Sequence, residues 1–454
     1  MTIAAGTPHE LAEHRAPRAW VADTSMVLAG LGFGAVVALH VATRHPAHST
    51  GDVLTEVGRL TGLTGTYVAL LVVLLAARIP LIEKEVGQDR LIKWHRVTGP
   101  YAIWMIVAHF IFITLGYAMT YHAPIWSELW NSIILGMPEM VKGAIGFLLF
   151  AFVGVLSYRR IRRRLQYEYW WLSHLTIYIG IIFAYSHQVV SGQAFKNQPL
   201  AANVWIAYTF GSLGLLVLFR WLMPLVYSMS HNLRVERVVH ETEDTVSVYI
   251  AGRDLDKMNV AGGQFFMFRF ITSKLWWHAH PYSISAAPNG THLRVTIRDL
   301  GDTSRALFTI PVGTRVIAEG PYGTFTARNR RTNSLLLIAG GIGVTPIRAV
   351  LEELPEHASV DVLYRVYDRS ALVFAKELDT LAAERKNTRV RFLVGSRKDH
   401  PIDARNISRL VPNAAHSDWY ICGPHSLVDA AKASAEVLGV PANRIHNEEF
   451  AFLP

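Results

Sequence analysis

Six stretches in the first half of the chain are apolar almost without interruption, roughly 25 to 43, 60 to 81, 97 to 119, 141 to 157, 170 to 190 and 203 to 227. Each is long enough to read as a helix that spans a membrane. After about residue 231 the pattern changes. Up to about 325, "LRVERVV", "TVSVYIA", "GQFFMFRF", "HLRVTIRD" and "TRVIAEG" alternate apolar with polar positions between Gly, Asp and Asn turns. Such runs predict antiparallel strands closing into a small barrel. From Asn333 strand-like and helix-like runs take turns, from "SLLLIAGGIGVTPIRAVLEEL" through "VDVLYRVYD", "ALVFAKELDTLAAER", "RVRFLVGS" and "WYICGP" to "SLVDAAKASAEVLG". That order predicts a doubly wound parallel sheet. The fold class is therefore a multidomain membrane protein: a six-helix transmembrane bundle, an antiparallel β-barrel and an α/β doubly wound domain. The expected parts are a tail at 1–24, the bundle at 25–230, the barrel at 231–328 and the α/β domain at 329–454.

Composition agrees: 454 residues at 51% hydrophobic give room for two or three domains and are too apolar for an ordinary soluble chain. The first twenty residues carry charges and prolines, with no apolar core before Ser25, so no cleaved signal is expected. Basic residues set the orientation. They crowd the tail (Arg15, Arg18), the segment 78 to 96 and the segment 158 to 169 with its five arginines, whereas the intervening loops hold only Arg44, Arg59, Lys142 and Lys196. This pattern predicts a multi-pass protein of the cell membrane, its N-terminus and whole C-terminal half in the cytoplasm. The net charge of +9 then faces anionic lipid, and nucleic acid is not an expected partner. The single cysteine, Cys422, excludes an internal disulfide and a cysteine-ligated iron–sulfur cluster.

Candidate chemistry begins with four histidines. His95 and His109 lie fourteen residues apart in the third apolar run, and His174 and His187 thirteen apart in the fifth. Both runs point the same way through the membrane, so the rings sort into two layers, His95 with His174 and His109 with His187. Fourteen residues rise about 21 Å and leave the two rings about 40° apart around the axis. Thirteen fall about 140° short of four turns, with Gly180 between as a point where the helix could bend. Facing imidazoles at two depths are what two stacked bis-histidine haems require. A zinc or copper site would cluster its ligands instead. A lone intramembrane histidine such as His40 reads more simply as bonded to a carbonyl. No chain of intramembrane carboxylates is seen, and electron flow alone needs no proton channel.

In the barrel, "HPYSIS" (His280 to Ser285) sets an aromatic ring, Tyr282, beside a hydroxyl, Ser283, and "RDLGDTS" spaces Arg298, Gly301 and Ser304 to suit an anion near a helix start. The simpler reading of a strand-end aromatic is packing. The turn "AGGIGVTP" follows an apolar strand and opens a helix, with Thr345 expected as N-cap and Pro346 as first helical residue. Its glycines would let a diphosphate approach the helix end, although the run is not a GxGxxG fingerprint.

In the order of these motifs the chain resembles the ferric reductase and NADPH oxidase superfamily, a six-helix two-haem membrane domain followed by a ferredoxin-NADP reductase-type FAD and NAD(P) module. The resemblance covers nearly everything after residue 25, and both histidine spacings belong to it. It implies two b-type haems, one held by His95 and His174 and one by His109 and His187. It makes the barrel the FAD-binding domain, with His280, Pro281, Tyr282 and Ser283 at the flavin and Arg298, Gly301 and Ser304 at its diphosphate. Gly340, Gly341, Gly343, Thr345 and Pro346 would take the nicotinamide dinucleotide, and Cys422, Gly423 and Pro424 would border the nicotinamide. Phe450 would cover the flavin, with Phe452 as runner-up. Arg59 would stand near the outer haem face, or be a loop arginine bonded to a propionate. Ser396 and Arg397 of "VGSR", assisted by Arg365, favour NADPH over NADH; otherwise "VGSR" is a solvated surface loop. The implied activity is an NAD(P)H-dependent flavohaem oxidoreductase moving electrons out of the cytoplasm. Its acceptor would be molecular oxygen, a ferric chelate or a periplasmic redox protein, with no calcium-binding segment before the first helix. A transporter with a regulatory nucleotide domain survives only if the histidines bind no haem.

Overall fold

A computed structural model of the chain describes residues 19–449. Among the described residues it divides into two compact units, 19–222 and 223–449. The first is helical: α1 Ala19–Thr43, α2 Thr50–Ala76, α3 Gln88–Thr120, α4 Met140–Ser157, α5 Tyr167–Ser191 and α6 Pro199–Val217. A π-helical turn, Leu218–Leu222, leads from α6 into α7, Met223–His231. Five helical stretches are long and apolar enough to cross a membrane: Trp20–Thr43, Thr50–Ala76, Arg90–Thr120, Met140–Ser157 and Pro199–His231. The sixth predicted span forms as α5, an unbroken 25-residue helix. It stays outside that set because Ser173, His174, Thr176, Ser186, His187 and Gln188 dilute its apolar content. The helix continues through Gly180 without a break. A side chain there would press on Leu149 and Phe150 of α4, so this glycine serves close packing.

Helix α2 begins ten residues before its expected start. Ser49 caps it, its side chain accepting from Asp52 N while Asp52 accepts from the Ser49 amide, a reciprocal capping box. The first turns carry Asp52, Glu56 and Arg59, which a hydropathy reading discards. Arg59 therefore lies inside a helix and not in a loop. The segment 78 to 96 is also mostly helical, as Pro80–Val86 and the start of α3.

Helices α2 and α3 meet along a seam of small residues. A β-carbon at Gly51 would strike Gly116 O at 2.9 Å, one at Gly58 would strike Ile113, and one at Gly65 would strike Met105, so the backbones lie closer than larger side chains allow. The positions 51, 58 and 65 are one heptad apart, as are 109 and 116. A 3.5-residue repeat absorbs about 20° of drift per heptad by supercoiling. Two heptads account for the 40° offset between His95 and His109.

In the second unit, two three-stranded antiparallel sheets appear where one barrel was expected. One has the order β1 (Arg234–Thr242), β2 (Thr245–Ala251), β5 (His292–Arg298), and the other β4 (His280–Ser283), β3 (Phe265–Phe270), β6 (Val316–Tyr322). Isolated bridges at Arg234/Arg315 and Ile284/Val295 link them, and one apolar core, including Val248, Phe266, Ile284 and Val295, fills the space between. The remainder is a five-stranded parallel sheet of order β11-β10-β7-β8-β9: β7 Ser334–Gly340, β8 Ser359–Val366, β9 Thr388–Val394, β10 Asp418–Gly423 and β11 Ile445–Glu449. Helices α8 (Val344–Glu353), α9 (Ala375–Glu384), α10 (Ala404–Leu410) and α11 (His425–Val437) connect the strands. Strand order reverses between β7 and β10, and ligands bind such sheets at that switch point.

Candidate functional site

The four intramembrane histidines meet as two pairs. The rings of His95 and His174 have centroids 6.2 Å apart, and those of His109 and His187 6.4 Å apart. These gaps are too wide for a ring-to-ring hydrogen bond. A metal atom bonded at about 2 Å to one nitrogen of each ring would hold the centroids about 6 Å apart, so the residues fit bis-histidine ligation. His95 Nδ1 lies 2.9 Å from Val72 O and His109 Nδ1 2.7 Å from Gly58 O. A carbonyl only accepts, so each Nδ1 carries the proton and each Nε2 keeps its lone pair for a metal. Both acceptors lie on α2, fourteen residues apart like the histidines themselves.

The partners on α5 are held differently. His187 lies over Gly143 of α4, where a β-carbon would approach its Nδ1 to 2.8 Å. His174 packs along Trp170, and its Nδ1 is buried with no hydrogen-bond partner. The rings leave α5 from different flanks, which accommodates their thirteen-residue spacing. Among the described residues no three His, Cys, Asp or Glu side chains converge as a metal cluster, so a compact zinc- or copper-type site is not found there.

The His109–His187 pair opens onto a cavity of about 200 Å³. The walls are mainly apolar, with Leu63, Ile106, Phe110, Ile133, Phe147 and Phe150 among them. One side is charged: His40, Arg44, Glu56 and Arg59 line it. Arg59 Nη1 donates to Glu56 Oε1 at 2.5 Å, and His40 Nε2 stands 3.7 Å from Glu56 Oε2. His40 thus has a charged neighbour in place of the carbonyl expected for a lone histidine, and Glu56 is an intramembrane carboxylate that the hydropathy pattern concealed.

In the second unit, His280, Pro281, Tyr282 and Ser283 form β4, paired residue for residue with Phe268, Met267, Phe266 and Phe265 of β3. Ser283 is buried and Tyr282 half-buried. Burial pushes the Tyr282 phenol well above its usual range, so it stays neutral. Arg298 ends β5 half-exposed and donates to Asp244 at 2.7 Å. The following turn places Gly301 at φ +143°, a conformation that favours glycine, and Ser304 Oγ accepts from Leu300 N at 2.7 Å.

At the switch point, Gly340 ends β7 and Gly341, at φ +54°, opens a 3-10 turn that runs straight into α8. The N-cap is therefore Gly343 and not Thr345, and Pro346 is the third helical residue. Proline is tolerated there because first-turn amides have no intrahelical partner. Thr345 Oγ1 donates instead to Ile342 O. A β-carbon at Gly343 would meet Cys422 O at 2.3 Å, and one at Gly340 would meet Pro424 at 2.9 Å; the ends of β7 and β10 thus touch where a dinucleotide would lie. Cys422 is fully buried within the sheet's core. Burial first, then the Glu448 charge, push its thiol well above the ordinary value, so it stays a neutral thiol. Arg365 is the last residue of β8 paired with β7, opposite Gly340. Burial, then the charge of Arg397, lower its pKa, so the structure brings these two guanidinium groups into one neighbourhood. Ser396 begins the turn beside them, its amide donating to Asp399. Phe450 and Phe452 lie outside the described residues.

Comparison with known proteins adds three tandem family matches. The ferric reductase like transmembrane component matches residues 61–185, an FAD-binding domain 230–326, and an oxidoreductase NAD-binding domain 337–433. Among curated relatives, the Flavohemoprotein of Oceanobacillus iheyensis is 25% identical over 239 residues, 48% of this chain and 58% of that protein. The ferredoxin reductase component of 3-ketosteroid-9-alpha-monooxygenase from Mycolicibacterium smegmatis is 29% identical over 235 residues, 49% of this chain and 66% of that one. The matched part thus spans less than two thirds of either relative's length. The FAD/NAD binding domain of a nitric oxide dioxygenase from Vibrio cholerae aligns with a TM-score of 0.42 at 22% identity, covering 49% of this chain and 99% of that one.

Proposed function

Because the chain belongs to the ferric reductase and NADPH oxidase superfamily, we propose that it carries electrons from cytoplasmic NADPH through FAD and two b-type haems to molecular oxygen outside the cell membrane, releasing superoxide. The observation that carries this reading is the pair of imidazole pairs, each at the ring separation one intervening metal atom requires. When bound, the flavin turns the two-electron hydride of a nicotinamide into single electrons and the haems relay them one at a time.

The chain's own residues supply position and charge. His95 and His174 hold one haem and His109 and His187 the other, with the Nδ1 bonds to α2 fixing ring orientation on the α3 side. Tyr282 and Ser283 face the flavin, while Arg298, Gly301 and Ser304 take its diphosphate. Gly340, Gly341 and Gly343 leave the β7 end open to the dinucleotide, and Arg365, Ser396 and Arg397 receive a 2'-phosphate. Phe450 covers the flavin. The basic segments 78 to 96 and 158 to 169 put the second unit in the cytoplasm.

Oxygen is favoured by the short extracytoplasmic segments, which among the described residues form no chelate-binding domain, while the mainly apolar wall of the cavity lined by His109 and His187 suits the porphyrin that would fill it. The second reading, reduction of an anionic ferric chelate, draws on Arg44 and Arg59 along the same wall. Turnover of NADPH in membranes, under oxygen and then with ferric citrate under argon, separates them. Superoxide without ferrous iron supports the oxidase, ferrous iron without superoxide the reductase, and slow turnover with both points to a periplasmic protein acceptor. Replacing His109 with leucine is expected to leave flavin reduction intact and abolish delivery to the exterior; retained delivery excludes it as a ligand.

A further inference from the structure

We propose that His40, with Glu56 as its counter-ion, takes up one proton when the His109–His187 site gains one electron. The inference rests on the haem reading above and adds to it a charge-compensating group at the acceptor end of the chain.

The geometry sets an imidazole against a buried carboxylate oxygen that nothing else satisfies. Glu56 Oε1 is engaged by Arg59 at 2.5 Å. Its other oxygen, Oε2, is buried with no hydrogen-bond partner and faces His40 Nε2 at 3.7 Å. A second proton on the imidazole would turn this contact into an ion pair and set a cation against the unsatisfied carboxylate oxygen. Both side chains are nearly enclosed, at 9% and 14% exposure, and ionisable groups within membrane helices are costly unless they serve a purpose.

The pair is also coupled to the ligand site. Glu56 precedes by two residues Gly58, whose carbonyl accepts from His109, a rise of about 3 Å along α2. A unit charge about 10 Å away, in a medium of effective dielectric about 20, changes a proton affinity by about tenfold. The other titratable groups on the cavity wall are Arg44, Tyr117 and Tyr185. Asp52, one turn before Glu56, accepts from the His48 and Ser49 amides. Glu83 and Glu85 of the helix Pro80–Val86 belong to the end of α1 near Ala22, where Val86 packs. The 3-10 turn Gln193–Phe195 brings no charge. An imidazole is the group whose ordinary pKa lies near neutrality, so the proton goes to His40. The balance is one electron onto iron, ferric to ferrous, and one proton from water at the cavity mouth onto His40 Nε2.

Equilibrium redox titration of haem absorbance in the purified full chain at pH 6, 7, 8 and 9 tests this. One of the two transitions is expected to fall by up to about 59 mV in all across this range, the one-electron equivalent of a tenfold change in proton affinity. His40→Gln and Glu56→Gln are each expected to flatten that slope, and the redox-difference infrared spectrum of the unmodified protein should show imidazole protonation on reduction. Two pH-independent transitions in the unmodified protein, no imidazole signal, or a slope that survives both substitutions would overturn the inference while leaving the haem reading intact. Absence of any haem absorbance overturns the functional reading itself.

Discussion

Single residues decide whether the imidazoles stand where they do, and the least conspicuous of them are glycines. A β-carbon at Gly62 would come within 2.5 Å of His109 Nδ1, closer than the neighbouring ring can yield without losing its bond to Gly58. Gly62→Ala is expected to remove about half of the haem absorbance while NADPH still reduces the flavin, since outer-shell changes cost roughly 10–100-fold in metal affinity; spectra before and after NADPH addition measure both. The dinucleotide end offers a parallel case. Arg397→Ala is expected to raise KM for NADPH about 10–100-fold and leave KM for NADH unchanged, the loss of a charge-assisted contact to a phosphate. Equal effects on both cofactors would remove Arg397 from the 2'-phosphate site. The pairing of the four histidines in space was legible in the sequence from residue type and spacing. Gly62, Gly143, Glu56 and the role of His40 were not, because each acquires meaning only from a neighbour on another helix.

Among the elements, α2 and α3 depend on one another most. The seam predicts that bulk is punished on one side of each helix and tolerated elsewhere. Gly116→Ala would drive a β-carbon to 2.4 Å from Thr55 Oγ1 and is expected to destabilise the bundle by about 1–3 kcal/mol, the usual cost of overpacking. Gly30→Ala on α1 meets nothing within 4 Å and should be neutral or stabilising by up to about 1 kcal/mol. Thermal unfolding in detergent compares them, and equal losses would argue against the seam. Hydropathy located the six runs but misjudged where α2 begins, since a capping box and polar first turns lie beyond any apolar window. The "STGD" at residues 49 to 52 was the available signal. In the second unit all five quoted barrel strands form, whereas β4 and β11 were missed: the first is only four residues, and the second lies after the last recognised helix.

At the scale of the whole molecule, the units 19–222 and 223–449 are each internally complete, and within the second the two sheets' layers are tied to the parallel sheet by an ion network. Arg294 of β5, 4% exposed, donates to Glu377 of α9 at 2.8 Å, and Glu377 also forms an ion pair with Arg348 of α8 at 2.7 Å. Burial tends to raise the Glu377 carboxyl, but bonds from Arg294 and the charges of Arg294 and Arg348 outweigh it and hold the pKa below its usual value. The stabilisation this provides is therefore complete above the unfolded-state value of about 4.3. It is lost as pH falls through the lower folded-state value. Glu377→Gln leaves a buried guanidinium uncompensated at neutral pH, at a cost of about 3–5 kcal/mol, and should remove the acid-dependent part of stability. Chemical unfolding between pH 3 and 7 checks both, and an unchanged acid limb in the variant would count against the network. Domain order was readable from the change of hydrophobic period, but nothing in sequence spacing ties residue 294 to residue 377.

The matching fourteen-residue offsets on α2 and α3 carry a consequence for how such chains can change length. Deleting one residue from either helix between the two carbonyl contacts would rotate one histidine and its carbonyl partner out of register while leaving the other contact in place. Indels tolerated in that stretch should therefore come as paired insertions of seven, one in each helix, so that the conductor lengthens only in whole repeats.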